Sequence, residues 1–331
     1  MRSWIRREFI SREEDREKPG SNMKKPPSQH SFFAKVFLSP SEHRLRAGWR
    51  LLIQTLLLLT MAVCIGIILA IPSAILNYNI DQEMLFYEVV LLFAITLSVF
   101  LARRFLDKRT YASMGLVLKW QAVYDLLAGF VIAALMMGVI YGLLWSLGWI
   151  HFEGYAWVSN GAAYAIGNAI LWLVIFILTG WNEELLNRGY YLQNLADGLN
   201  PSGTASRRGL IWGVILSSVI FGVLHFGNPF ATWVSTGNIV LAGLFLAYAY
   251  VRTRQLWLSI GLHIGWNFFE GVVFGFPVSG IDTLHLIKHT VTGPELWTGG
   301  YFGPEAGLIL IPVLAFGIVL IYLYTRPEIR E

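Results

Sequence analysis

Hydrophobic residues are gathered into eight long blocks, which short polar segments separate. The blocks lie at roughly 51–72, 85–102, 122–147, 161–182, 209–227, 234–251, 256–277 and 306–325. Each block reaches or approaches the ~20 apolar residues that a helix needs to cross a bilayer core. Strands of a membrane barrel would be shorter and would alternate in polarity, which these blocks do not. The pattern therefore predicts an all-α polytopic membrane protein with eight transmembrane helices.

Charge supports this reading and gives it an orientation. Only 14% of the 331 residues are charged, against about 25% in a soluble domain. If both termini are cytoplasmic, 24 of the 25 lysines and arginines fall on the cytoplasmic side, and only Lys288 falls outside. This is the distribution that the positive-inside rule requires. The net charge of +4 is thus explained by membrane topology, and we expect no nucleic-acid partner.

The two ends of the chain differ in composition from the blocks. Residues 1–46 are charged and Pro-rich without an apolar period, which predicts a disordered cytoplasmic tail. Within this tail, SFFAKVFL at 31–38 is either a short interfacial anchor or simply an apolar part of the tail. The membrane domain is expected at 47–326, and 327–331 would form a short second cytoplasmic tail.

Ionisable residues inside a membrane span are candidates for function, because charge in lipid is costly. Glu88 and Asp125 lie near the ends of their blocks, within reach of headgroups or water, so we expect structural or solvated roles for them. Six polar residues lie deeper and do not fit that explanation. They are Glu183, Glu184, His225, His263, Asn267 and Glu270.

The fourth and fifth blocks are expected to form an antiparallel helical hairpin. Asn200 and Pro201 break the helix, which places the turn near Gly203. Glu183 lies 20 residues before that turn and His225 lies 22 residues after it. The two side chains should therefore reach the same depth, roughly 30 Å from the turn.

Helical spacing separates the two adjacent glutamates. Glu184 and Arg188 are spaced i,i+4 with the acid on the N-terminal side, so we expect a supporting ion pair between them. Glu183 points about 100° away around the helix and has no partner of its own there, which leaves it available for chemistry. His263 and Asn267 are also spaced i,i+4 and share one face of the seventh helix.

One glutamate, two histidines and an asparagine in an apolar pocket are suited to hydrolysis. A desolvated glutamate can take a proton from water, and a histidine can orient that water. A second histidine and an amide can donate hydrogen bonds to an oxyanion. The same groups can instead bind a divalent metal such as zinc, with Glu183, His225 and His263 as ligands. The zincin signature HExxH is absent, and the sequence leaves open whether any cofactor is bound.

Three short motifs on these blocks resemble those of a known family. EELLNR at 183–188 fits EExxxR, FGVLH at 221–225 fits FxxxH, and HIGWN at 263–267 fits HxxxN. In this order they are similar to the CPBP family of CAAX proteases and bacteriocin-processing enzymes, also called the Abi family. The resemblance covers a core at about 160–275.

The resemblance implies roles for the motif residues. Glu183 and His225 would activate water, while His263 and Asn267 would form the oxyanion site. Glu184 and Arg188 would support them. The implied activity is an intramembrane endopeptidase in a bacterial plasma membrane, with its active site toward the cytoplasmic half. The implied substrate is a membrane-anchored peptide or protein, with either a prenylated CAAX-type or a bacteriocin-type sequence.

Two other functions remain open on the sequence. The chain can be a non-catalytic scaffold or a bacteriocin-immunity protein of the same fold. It can also be a proton-coupled transporter in which Glu183 and the histidines relay protons, although no repeat or paired broken span supports this.

Three further polar residues receive less specific expectations. Ser259 lies four residues before His263, but we expect it to face a neighbouring helix and not to act as a nucleophile. Glu270 either lines the cavity or has a structural role. Asn228 is expected to cap a helix end.

Overall fold

The computed structural model describes residues 32–39, 44–76, 80–200 and 206–326, and the chain is mostly helical in these ranges. The α-helices are α1 Phe32–Phe37, α2 Ala47–Leu76, α3 Ile80–Leu101, α4 Trp120–Ser146, α5 Ala156–Asn160, α6 Ala162–Glu184, α7 Leu192–Gly198, α8 Arg207–Leu224, α9 Trp233–Thr253, α10 Trp257–Asn267, α11 Glu295–Thr298 and α12 Leu310–Tyr324. The strands are β1 Ile150–Tyr155 and β2 Ile287–Val291. π-Helical segments follow three of the helices, at Ala102–Leu106, Leu185–Tyr191 and Phe268–Val273.

Every one of the eight apolar blocks contains a helix, but the helices differ in length. Six segments within the described ranges are long and apolar enough to cross a membrane: Ala47–Ile68, Glu83–Leu106, Trp120–Ser146, Ala162–Gly198, Arg207–Gly227 and Trp233–Thr253. The last two blocks give shorter helices, since α10 has 11 residues before it turns into a π-helix and α12 has 15. The chain is therefore an integral membrane protein, while the count of eight spans stays a prediction.

A small sheet departs from the expected all-helical architecture. β1 and β2 pair antiparallel, with Ile150 opposite Val291 and an irregularity between Phe152 and Gly154. β2 belongs to a long connection, residues 274–309, which precedes α12. Burial lowers the pKa of His289 in β2 to about 4, so this ring is neutral at neutral pH and packs as an aromatic group against Tyr141.

Two described segments fall within the range 1–46, whose assignment as a tail stays a prediction. Arg44 is buried and donates to the Asp107 carbonyl at 2.8 Å and to Asp197 Oδ2 at 3.0 Å. Helix α1 also lies in the segment that was expected to be disordered. Residues 1–31, 40–43 and 327–331 lie outside the described residues, so the tails expected there remain predictions.

A buried ion-pair network joins three helices at the end of the bundle where arginines collect. Asp107 accepts hydrogen bonds from Arg50 at 3.2 Å, from Arg103 at 2.8 Å and from Asn194 at 3.2 Å. Asp107, Arg50 and Arg103 are all at most 1% exposed at their side chains. The network fixes the start of α2 and the end of α3 against α7.

Close backbone contact fixes the position of α10, which carries two of the expected site residues. A Cβ atom at Gly261 would overlap the carbonyl group of Leu126 on α4, and a Cβ at Gly129 would overlap that of Leu258. Glycine at both positions therefore lets α4 and α10 approach more closely than side chains allow, as in other helix pairs within membranes.

We predict that Asp107→Asn strongly destabilises the bundle, because the substitution removes the buried carboxylate that pairs with both Arg50 and Arg103. Breaking a buried pair in this way costs about 3–5 kcal/mol, which thermal unfolding in detergent would measure. Asp197→Asn is the matched control. Asp197 also pairs with two arginines, but its side chain is 23% exposed, so we expect about 1 kcal/mol or less. Equal losses in the two variants would contradict this account.

Candidate active site

Four of the expected site residues converge on one cavity of about 500 Å³. Glu183 lies at the end of α6, and His225 is the first residue after α8. His263 and Asn267 lie one turn apart on α10. All four line the cavity, whose wall is otherwise mostly apolar. The structure thus brings together residues that are up to 84 positions apart.

Glu183 lies between the two histidine rings. Its Oε2 atom is 3.9 Å from His225 Nε2 and 3.8 Å from His263 Nε2. These separations are too long for direct hydrogen bonds and leave the space that one bridging water needs. Oε2 is buried and receives no hydrogen bond from any residue in the described part of the chain. Oε2 is therefore an acceptor to which none of the described residues donates a hydrogen bond.

The other ring nitrogens fix how both histidines are protonated. His225 Nδ1 lies 2.8 Å from the Phe221 carbonyl oxygen, and His263 Nδ1 lies 2.9 Å from Glu184 Oε1. A carbonyl or carboxylate oxygen can only accept, so each Nδ1 carries the proton. In the neutral rings, both Nε2 atoms then present a lone pair toward Glu183. His263 can donate through Nε2 only when its ring is charged.

Glu184 is fully buried behind the cavity and is surrounded by donors. Arg188 Nη1 donates to its Oε1 at 2.7 Å, as the i,i+4 spacing predicts. His263 Nδ1 donates to the same oxygen, and Ser259 Oγ donates to Oε2. The links to His263 and Ser259 were not predicted, because they join segments 75 or more residues apart and leave no local pattern.

Arg188 connects this carboxylate to the FxxxH motif. Its Nη2 donates to the Gly243 carbonyl on α9 at 3.0 Å, and its guanidinium lies 4.5 Å from the centre of the Phe221 ring. Phe221 also contacts both His225 and His263. The motif phenylalanine therefore packs against Arg188 and both histidines.

Two of the helices that carry site residues change from α to π directly beside the site. A seven-residue π-helix begins at Leu185, directly after Glu184, and another begins at Phe268, directly after Asn267. π-Helical turns are rare in proteins overall, but where they do occur they are often found at functional sites. Because they depend on hydrogen-bond register and not on the apolar period, the sequence pattern did not reveal them.

The expected metal ligands do not fit a tetrahedral zinc site as they lie. Two ligands of such a zinc, at 2.0–2.1 Å each, are about 3.3 Å apart, whereas Glu183 Oε2 is 3.8 and 3.9 Å from the histidine nitrogens. In the described ranges, no group of three or more His, Cys, Asp or Glu side chains is placed to hold a metal ion. The chemistry considered below therefore uses only the chain's own groups.

Two more carboxylates, Glu88 and Glu305, line the cavity. Glu88 is buried and accepts from Asn182 Nδ2 at 2.9 Å, which favours the structural of the two roles expected for it over the solvated one. Glu305, from the connection at 274–309, accepts from Trp266 Nε1 at 2.9 Å and from the Ser279 hydroxyl at 2.6 Å. Residue spacing along the chain does not predict that Glu305 lies beside the site, because the site residues belong to helices distant in sequence.

The remaining polar candidates have structural surroundings. Asp125 is buried and accepts from the Tyr324 hydroxyl at 2.7 Å. Glu270 is fully buried and is not among the residues lining the cavity. Asn228 is the C-cap of the short 3₁₀ turn His225–Gly227, as expected for a helix end. Its side chain also donates to the Ser279 carbonyl at 3.2 Å, which ties the end of α8 to the 274–309 connection.

Comparison with known families places the site residues within one matched segment. Residues 165–269 match the family model of the Rce1-like type II CAAX prenyl endopeptidases. The resemblance to the CAAX proteases is thereby confirmed. The segment is about a third of the chain and contains all three motifs. No curated protein and no solved structure matches the chain.

We predict that Arg188→Ala lowers expression and thermal stability together with any activity. The substitution removes the arginine that pairs with the buried Glu184 carboxylate at 2.7 Å, and loss of one member of a buried pair costs about 3–5 kcal/mol. Arg188→Lys should recover part of the loss, because an ammonium keeps the charge but cannot span Glu184 and the Gly243 carbonyl as a guanidinium does. A stable Arg188→Ala protein that lacks only activity would instead assign Arg188 to the catalytic group.

Proposed function

We propose that this protein is an intramembrane CAAX-type endopeptidase that hydrolyses a peptide bond of a membrane-associated substrate. The observation that carries the proposal is the unfilled Glu183 Oε2 atom, which lies within 4 Å of both His225 Nε2 and His263 Nε2 inside an apolar cavity. A carboxylate in such surroundings is suited to take a proton from water. The match to a family of CAAX prenyl endopeptidases supports the same reaction.

Water activation is assigned to Glu183 and His225. A water molecule between them can give one hydrogen to Glu183 Oε2 and direct the other at the lone pair on His225 Nε2. Attack on the peptide carbonyl then transfers the first proton to Glu183. Glu183 returns this proton to the leaving amine as the carbon–nitrogen bond breaks, so the site ends in its starting state.

Oxyanion stabilisation is assigned to His263 and Asn267. His263 donates its Nδ1 proton in a hydrogen bond to Glu184. The Nε2 atom of His263 therefore carries a proton, and can donate a hydrogen bond, only when the ring is charged. The carboxylates of Glu183 and Glu184, both within 4 Å of that ring, favour this charged form. Asn267 offers an uncharged N–H donor one turn further along α10. Donors aimed at the developing oxyanion in a dry cavity are among the largest contributions to catalysis.

The cavity wall indicates which substrates the site accepts. The wall is mostly apolar, with aliphatic and aromatic side chains from α2, α3, α6 and α9 among its lining residues, which suits a peptide that is anchored in the membrane. The wall formed by the described residues includes Glu88, Glu183 and Glu305 but no lysine or arginine. A prenylated CAAX-type substrate would therefore keep its terminal carboxylate outside this cavity, and a bacteriocin-type substrate would enter with an uncharged segment.

The depth of the site follows from the helix geometry. Gln193 Nε2 donates to the Tyr250 hydroxyl at the level of the buried arginine network. Glu183 lies ten residues before Gln193, which is about 15 Å along the helix axis. If the arginine-rich end is cytoplasmic, the site lies at the inner half or near the middle of a bilayer core of about 30 Å.

We predict that Glu183→Gln folds and binds substrate but turns over very slowly, because glutamine keeps the size and polarity of the side chain but cannot take the proton. Asn267→Ala should leave water activation intact and lower the rate by about 10²–10³ through loss of one donor. The measurement is cleavage of membrane-anchored peptides by purified protein. Glu183→Gln should show the larger loss.

Glu83→Gln is the matched control, since the same substitution is made at an exposed residue of α3 that does not line the cavity. Unaltered cleavage by Glu183→Gln would contradict the catalytic assignment. Activity that a chelator abolishes and zinc restores would contradict the metal-free mechanism. If the wild-type protein cleaves nothing and Glu183→Gln preserves the cellular phenotype, the scaffold or immunity function is favoured instead.

We also predict that both termini are cytoplasmic, because 24 of the 25 basic residues then lie on that side. A reporter that is active only in the cytoplasm should be active when it is fused after Arg330. The same reporter should be inactive when it is inserted in the connection around Lys288, which is expected outside. A C-terminal reporter found outside would overturn both the eight-span topology and the orientation of the site.

A further inference from the structure

We propose that Ser259 is a positioning residue, which holds His263 in its working orientation by fixing the Glu184 carboxylate. This inference rests on the proposed hydrolytic function of the site. Ser259 is fully buried and does not line the cavity. It therefore cannot touch a substrate or the attacking water, and any influence on the reaction passes through its neighbours.

The two oxygens of Glu184 are held unequally. Oε1 accepts from both Arg188 Nη1 and His263 Nδ1, at 2.7 and 2.9 Å. Oε2 accepts only from Ser259 Oγ among the described residues. The last torsion of a glutamate side chain has broad energy wells. Ser259 is thus the contact that fixes the rotation of the carboxylate plane, and Arg188 alone leaves this rotation free.

Helix α10 supplies both donors from one face. Ser259 and His263 are spaced i,i+4, so both side chains point to the same carboxylate on α6. The Leu246 carbonyl on α9 is a second acceptor 3.3 Å from Ser259 Oγ. A hydroxyl has one proton, and the charged carboxylate is the nearer and stronger acceptor. The serine proton therefore goes to Glu184.

The consequence for catalysis concerns the direction of the His263 ring. While Oε1 points at Nδ1, the proton stays on Nδ1 and Nε2 faces Glu183, 3.8 Å away. Without Ser259, the carboxylate can rotate and the ring loses a fixed acceptor. The cavity wall is unchanged, because Ser259 is not part of it. The turnover step should suffer while substrate binding does not.

The test compares Ser259→Ala with the wild type and with Ser218→Ala. Ser218 is a matched control, because it is buried, lies outside the cavity and donates only to the Val214 carbonyl at 2.8 Å. We expect Ser259→Ala to lower kcat about tenfold or more, as loss of a hydrogen bond to a charged group does, with KM unchanged. Ser218→Ala should keep both constants. Ser259→Thr, which keeps the hydroxyl, should recover most of kcat.

A second measurement does not depend on peptidase activity. Nitrogen NMR of histidine-labelled protein, at a pH where His263 is neutral, reports which ring nitrogen carries the proton. The signal is assigned by its loss in His263→Asn. We expect Nδ1 to be protonated in the wild type and in Ser218→Ala. In Ser259→Ala the proton should be shared between the two nitrogens.

The outcomes separate this inference from the proposed function. Wild-type protein without peptidase activity would overturn the function, and the NMR result would still decide the role of Ser259. An active Ser259→Ala protein with wild-type kcat, or one with an unchanged His263 tautomer, would overturn the positioning role while leaving the function intact. A Ser259→Ala protein that fails to fold would show that Ser259 holds the fold, which also overturns the proposal.

Discussion

The ionised carboxylate of Glu184 is the constraint on which the arrangement of the core depends. Its side chain has no exposure, and it lies on a helix long and apolar enough to cross a membrane. A charge in that position is stable only when nearby groups replace its hydration with hydrogen bonds and a countercharge. Arg188 supplies the countercharge from the same helix, while His263 and Ser259 supply donors from α10.

This requirement determines how closely three helices must pack. Arg188 donates a hydrogen bond from Nη2 to the Gly243 carbonyl, and this bond holds α9 against the segment that follows α6. Helix α10 must lie near enough for serine and histidine side chains to reach Glu184. Glycine makes this approach feasible on both sides of α10, because a Cβ at Gly261 would overlap α4 and one at Gly180 would lie 2.8 Å from Ile264. Glycines thus allow the close packing of α10 that the hydrogen bonds to the buried Glu184 carboxylate require.

Sequence patterns predicted the helices, which show as recurring apolar blocks, and the side-chain pairs that depend on local helical spacing. The apolar blocks gave the positions of the helices, and residue counts from the turn placed Glu183 and His225 at one depth, where the structure has them 3.9 Å apart. The i,i+4 spacing gave the Glu184–Arg188 pair. Each of these follows from helix geometry alone, which is regular enough to be counted along the chain.

The remaining features depend on contacts that no local pattern records. The bond from His263 to Glu184 joins residues 79 positions apart, and the place of Glu305 beside the cavity depends on the path of a long connection. Arg44 lies in a segment that has the composition of a disordered tail. It is nevertheless buried, because acceptors on other segments receive its hydrogen bonds. Composition carries no information on burial where a distant partner decides whether a charge is buried.

Glu183 and Glu184 show how packing gives different chemistry to neighbouring residues of one type. They differ by about 100° around the helix, which turns one toward α10 and its donors and the other toward the cavity. Donors reach both oxygens of Glu184, so a proton would have to displace an existing bond. Glu183 Oε2 has no such bond to a described residue, so its lone pairs are available to a molecule that enters the cavity. The role of base that we propose for Glu183 therefore depends on Glu184, whose own hydrogen bonds hold the His263 ring facing Glu183.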